Sequence, residues 1–142
     1  MRIKLIDSAF DKNTGVSYAK IQTDCGVFQA FSELHKEDKH ISSSFAGCQY
    51  AEIKATIKYM KYKIKLLKER IKALENCKKA LENKKNYNHN SEENRTIRKQ
   101  IYILKKDLSK WEQKTKSLHQ HMINLMERRE KIIKRMQKGD EK

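Results

Sequence analysis

Between Ile53 and Leu81 the apolar side chains fall at Ile53, Ile57, Met60, Ile64, Leu67, Ile71, Leu74 and Leu81, in alternating steps of four and three with only Lys78 out of pattern. Lys, Glu and Arg fill the positions between, so the stretch reads as a heptad seam and not merely as an amphipathic helix. A seam of this kind needs a partner. The same rhythm returns at Ile97, Ile101, Leu104, Leu108, Trp111, Thr115, Leu118, Met122, Leu125, Arg129, Ile132 and Met136, where only Thr115 and Arg129 are polar. Two long helices are predicted, facing each other within one chain, between chains, or both.

Ahead of the helices the period changes from seven to two. Ile3, Leu5 and the Ala9–Phe10 pair open in a strand-like pattern that stops at Asp11-Lys12-Asn13-Thr14-Gly15, a turn in which Asn and Gly can take positive φ. Val16 to Thr23 then alternates, with Val16, Tyr18 or Ala19, and Ile21 as its apolar positions, and Asp24-Cys25-Gly26 turns the chain into Val27-Phe28-Gln29-Ala30-Phe31. This is a three-stranded antiparallel meander over residues 1–34. It is too small to bury a core unaided, so one of its faces must lie on the helices.

The fold class is therefore α+β: a small N-terminal antiparallel sheet and a coiled-coil hairpin of two long antiparallel helices, one domain over residues 1–142. Helix one is expected at about 44–85, with Ser42, Ser43 and Ser44 offering N-cap hydroxyls. The Asn-rich patch Asn86-Tyr87-Asn88-His89-Asn90 breaks it. Helix two is expected at about 91–137, capped by Asn90 with Glu93 or by Ser91 with Asn94, and ended by Gly139. The chain has no proline to kink either helix.

Charge changes this picture more than length does. Hydrophobic residues make up 37% of the chain and charged residues 36%, and rods of roughly 60 Å have much surface and little interior, so an oligomer is expected. The net charge of +15 attracts anions, nucleic acid first and nucleotides second. A solvated lysine face of a coiled coil accounts for the same composition, and the preference for Lys over Arg argues against base-specific DNA reading. Cys25, Cys48 and Cys77 are an odd set without CxxC spacing, which points to a reducing cytoplasm and away from disulfides and zinc. No signal-peptide core and no apolar run of membrane length is present in the sequence.

Catalytic and metal motifs are scarce. His119 and His121 point away from each other on a helix, and His35 and His40 flank Asp38 in a charged crossover, a weak acid/base cluster. There is no GxSxG, P-loop or HExxH, so the chain reads as a binder with no catalytic residue, no metal and no cofactor. The two helix starts differ. Helix two opens with Glu92 and Glu93, whereas helix one opens with Ser43, Ser44, Phe45, Ala46, Gly47, Cys48 and Gln49 and has no acid before Glu52. Its amides can receive an external anion, and Gly47 removes a side chain that would hold a phosphate away. Alternatively, Gly47 lets the sheet approach closely and the serines only cap the helix. Gly47, Tyr50 and Lys54 fall on neighbouring positions of one helix face, as amide nest, ring and cation, although Tyr50 also prolongs the seam. Phe10, Tyr18, Phe28 and Phe31 are candidate stacking rings or core.

Phe45-Ala46-Gly47-Cys48-Gln49-Tyr50-Ala51-Glu52-Ile53-Lys54-Ala55-Thr56-Ile57-Lys58, preceded by Leu34-His35-Lys36-Glu37-Asp38 and by Phe10-Asp11-Lys12-Asn13-Thr14-Gly15-Val16-Ser17-Tyr18-Ala19-Lys20-Ile21, resembles a family of small phage proteins, the Thoeris anti-defence sponges. The resemblance covers roughly the first 60 residues in pattern and the remainder in architecture. It implies an antiparallel sheet followed by two long helices, dimers that gather into hexamers, and non-catalytic sequestration of cyclic ADP-ribose isomers made by TIR-domain enzymes in the host bacterial cytoplasm. It also implies separate sites for cyclic oligonucleotide signals. The ligand-binding residues expected on this basis are Ser43, Ser44, Phe45, Gly47, Gln49, Tyr50 and Lys54; Lys54 stands where relatives are expected to carry Arg. The rival reading is a basic nucleic-acid-binding or nuclease-inhibiting protein, and a third is a coiled coil without a ligand.

Overall fold

The computed structural model describes residues 3–11, 13–33, 44–84, 88 and 91–140, with backbone alone at 44–46, 133 and 136–140. The crossover that holds His35, Asp38 and His40 lies outside the described residues, as do Ser42 and Ser43. The elements are β1 (Ile3–Phe10), β2 (Val16–Thr23), β3 (Gly26–Glu33), α1 (Ser44–Glu82) and α2 (Glu92–Asp140). The sheet is antiparallel in the order β1-β2-β3, and the fold is α+β, a three-stranded sheet followed by a helical hairpin. Two compact units are formed, Met1–Tyr59 with Lys116–Lys142, and Met60–Thr115.

In the first unit β2 decides which face of the sheet is covered. Ser17, Ala19, Ile21 and Thr23 are buried while Tyr18 and Lys20 are only partly so, which settles the choice between Tyr18 and Ala19 that the pattern left open. Across the ladder Ser17 pairs with Ser32, Ala19 with Ala30 and Ile21 with Phe28, so the covered face is made largely of small side chains. Small side chains admit a helix backbone closely. α1 answers in kind with Gly47, Ala51, Ala55 and Tyr59, one residue every four, all buried. The stripe begins against Ser17, where a Cβ on Gly47 would come within 2.0 Å of the serine Oγ. It ends at Tyr59, whose hydroxyl donates to Asp24 Oδ1 in the β2–β3 turn and whose ring meets Phe28 edge-on at 5.6 Å.

Both turns of the meander use glycine where positive φ is needed: Gly15 at 73° and Gly26 at 111°, with no other described residue in that region. Asn13 instead has its amide bonded to Asp11 Oδ1. β1 carries an irregularity between Leu5 and Asp7 that the sequence pattern did not announce, and Leu5 and Ile6 beside it are both exposed.

α1 meets α2 along the predicted seam. Ile53, Ile57, Met60 and Ile71 are buried, and Ile64, Leu67, Leu74, Lys78 and Leu81 are half-buried. On α2, Ile97, Leu104, Leu108, Trp111, Thr115, Leu118, Met122, Leu125 and Arg129 are half-buried, and Ile101 is buried. The rhythm fades at Ile132, which is 55% exposed. Of the two caps proposed for the second helix, Ser91 with Asn94 is observed, with the Asn94 amide donating to Ser91 Oγ at 3.3 Å, while Asn90 lies outside the described residues. α2 continues through Gly139 to Asp140, so that glycine does not end it.

Candidate functional site

The expected binding residues occupy the first three turns of α1, and the structure sends them in three directions. Ser43 is outside the described residues, and Ser44 and Phe45 are described as backbone in the first turn of the helix. That turn contains no acid, whereas α2 begins with Glu92 and Glu93. The amide end of α1 is therefore the more positive of the two helix starts.

Gly47 is turned to the sheet. Its Cβ direction is filled by Ser17 Oγ at 2.0 Å, Ser17 Cβ at 3.1 Å and a Phe10 ring carbon at 3.8 Å, so close helix–sheet packing alone requires a glycine here. Next to it the Cys48 thiol donates to the Ala9 carbonyl of β1 at 3.7 Å. Gln49 is half-buried.

Tyr50 turns instead to α2. It is 7% exposed and its hydroxyl donates to the Leu125 carbonyl at 3.4 Å. Burial pushes the phenol above its ordinary pKa, and the positive charge of Arg129 partly opposes that push. Arg129, one turn beyond Leu125, is one of the two polar residues in the α2 seam, the other being Thr115. An arginine in a seam and beside a buried tyrosine is a fork-shaped donor set suited to a phosphate. The sequence signal for it was the break in the heptads at position 129.

Lys54 turns to the third side. Its amine donates to the Phe31 carbonyl of β3 at 3.4 Å, and one turn later Lys58 donates to the Gln29 carbonyl at 2.9 Å. β3 is an edge strand, and these two lysines satisfy alternate carbonyls on its open side. Gly47, Tyr50 and Lys54 are thus brought to one end of one helix but not to one common surface.

The aromatic rings divide between the two faces of the sheet. Phe10 and Phe28 are half-buried, with Phe28 against Tyr59. Tyr18 and Phe31 pair on the opposite face with centroids 5.8 Å apart. The Tyr18 hydroxyl donates to Asp7 at 2.6 Å, and that bond raises its pKa.

Among the described residues no group of three His, Cys, Asp or Glu side chains could hold a metal ion. None of the described helices is long and apolar enough to cross a membrane. Comparison of the chain with protein-family models, curated proteins and solved structures returns no match.

Proposed function

We propose that the protein binds a cyclic ADP-ribose-type nucleotide and holds it without cleaving it, acting as a phage anti-defence protein that suppresses TIR-based immunity in the host bacterial cytoplasm. The observation that supports this reading most is the setting of the Phe45–Lys58 block: an acid-free helix start with Tyr50 buried at its second turn and Arg129 beside that ring, while Lys54 adds a cation on a separate side of the same helix end. The resemblance that the same block carries also implies a sheet followed by two long helices, which is the architecture of this chain. A cyclic ligand with two phosphates needs cations and amide donors, and it needs no general acid or base if it is only held.

Affinity constrains how it is held. Stoichiometric removal of a signal requires nanomolar binding, about −12 kcal/mol. A ligand of roughly 35 heavy atoms supplies about −10 kcal/mol at ~0.3 kcal/mol per atom. An open basic surface falls short of this, so the ligand is enclosed, with a second copy of the chain closing the site in a dimer or a larger assembly such as a hexamer.

Titration calorimetry with purified cyclic ADP-ribose isomers tests the proposal. Arg129→Ala and Lys54→Ala are each expected to weaken binding by about tenfold, each by removing one charge-assisted contact. Failure of every isomer to bind the wild-type protein more tightly than micromolar contradicts it.

A further inference from the structure

In the Met60–Thr115 unit the solvent side of α2 has a character that neither the seam nor the proposed nucleotide site uses. From Arg95 to Lys110 the positions facing away from α1 carry Arg95, Lys99, Tyr102, Ile103, Lys106 and Lys110, all exposed, and no acid. The one acid between Arg95 and Lys110, Asp107, falls on a flank of the seam instead. Flank lysines behave differently from those of the outer face: Lys105 pairs with Glu75 of α1 at 3.2 Å, while Lys99, Lys106 and Lys110 make no ion pair among the described residues. Lys106 and Lys110 stand four apart, an arrangement of like charges that destabilises a helix. A merely solvated face would gain from interspersed glutamates, and this one has none.

At the centre of the basic face lie two large apolar groups, Tyr102 at 61% exposure and Ile103 at 53%. Lys99 precedes them by one turn and Lys106 follows by one. The Lys106 amine sits 5.2 Å from the Tyr102 ring centroid, which fixes the ring beside a cation. We propose that this face binds single-stranded nucleic acid, with an unpaired base stacked on Tyr102 and the flanking phosphates on Lys99, Lys106 and Lys110. The choice of a single strand follows from the ring, which can stack only on a base that is not already paired. The choice of a phosphate chain follows from the unneutralised cations. Lys99 and Lys110 are about 16 Å apart along the helix, long enough to reach the phosphates on either side of a stacked base. Lysine in place of arginine makes the binding indifferent to sequence. This inference stands independently of the nucleotide site at the start of α1.

The test is fluorescence anisotropy of a labelled oligo(dT) of about 12 nucleotides with the full-length protein, from about 50 to about 200 mM salt, with sedimentation run in parallel. Three phosphate contacts give a slope of log affinity against log salt near about −2, at roughly −0.7 per phosphate of a single strand. Tyr102→Ala is expected to weaken binding on the order of tenfold while Tyr102→Phe retains it. The pair Lys99→Glu with Lys106→Glu should weaken it further and flatten the slope by about 1.4. All these positions are exposed, so melting curves should not fall, the Lys106→Glu change even relieving the repulsion with Lys110, and the response to cyclic nucleotides should be unchanged. Undiminished binding by Tyr102→Ala, or equal affinity for a duplex, overturns the proposal. So does a Tyr102→Ala variant that sediments as a smaller species with its oligo(dT) affinity intact, which would make the face a contact between copies of the chain.

Discussion

Replacing Gly47 by alanine separates two reasons for the glycine, and the magnitude can be worked from its surroundings. An alanine Cβ would lie 2.0 Å from Ser17 Oγ and 3.1 Å from Ser17 Cβ, so rotation of the serine hydroxyl relieves the first contact but not the second. Ser17 is fully buried and cannot swing into solvent. Overpacking of this kind costs about 1–3 kcal/mol, and the better helix propensity of alanine returns up to about 1 kcal/mol. With the packing cost at the middle of its range, about 2 kcal/mol, Gly47→Ala should therefore destabilise by about 1–2 kcal/mol. Among the described residues Ser17 Oγ has no hydrogen-bond partner, so Ser17→Ala should be neutral or stabilising by up to about 1 kcal/mol. In the double variant the alanine at 47 meets no oxygen but still meets the Cβ of residue 17, so it should cost less than it does alone without becoming neutral. Urea melts followed by circular dichroism, at one fixed protein concentration so that assembly is held constant, give all three values. A Gly47→Ala protein as stable as wild type, or a Ser17→Ala protein that loses more than about 1 kcal/mol, refutes the packing argument and leaves the phosphate explanation of Gly47 standing alone.

Three further outcomes follow from named contacts. Ile71 is 7% exposed in the seam, so Ile71→Asp should cost at least about 3 kcal/mol, whereas Ile103→Asp at an exposed position should cost under about 0.5 kcal/mol; thermal melts compare them. Lys54→Ala with Lys58→Ala uncovers alternate carbonyls on the β3 edge, and light scattering at high concentration should rise in that variant with little change in melting temperature. The Tyr59 phenol is held well above its ordinary pKa by burial and by its bond to Asp24. The folded state keeps that proton where the unfolded state loses it, so the stabilisation is whole below pH about 10 and is lost as pH rises further. Urea melts against pH should show wild type exceeding Tyr59→Phe by about 1.5 kcal/mol at neutral pH and the gap closing above pH about 10, with the lysines common to both proteins cancelling.

The helices were legible because a seven-residue repeat leaves no other way to hide its apolar side chains, and the covered positions of α2 are the predicted ones from Ile97 to Arg129, with exposed residues nearly everywhere else. The meander was legible from its two glycine turns. What stayed hidden was the second buried stripe of α1. The close approach of the sheet at Gly47 was one of the two readings open from the sequence, but Ala51 and Ala55 look like ordinary helix formers, and only a sheet face built of Ser17, Ala19, Ala30 and Ser32 shows why they must be small. The roles of Lys54 and Lys58 were hidden for a different reason: their acceptors are carbonyl oxygens of an edge strand, and backbone acceptors leave no trace in side-chain pattern. At the candidate site the sequence marked the acid-free helix start and the odd arginine at 129, but sequence distance concealed that Tyr50 joins them.

The central claim is capture without turnover, and the measurement nearest to it is mass spectrometry of what the protein releases. The protein is mixed with the product of an active TIR-domain enzyme, separated from free small molecules, denatured by heat, and the supernatant is analysed after short and long incubations. The account predicts a cyclic ADP-ribose isomer released intact, in an amount that tracks the protein and does not decline with time. An empty supernatant, or one in which intact nucleotide gives way to a linear product as incubation lengthens, contradicts it.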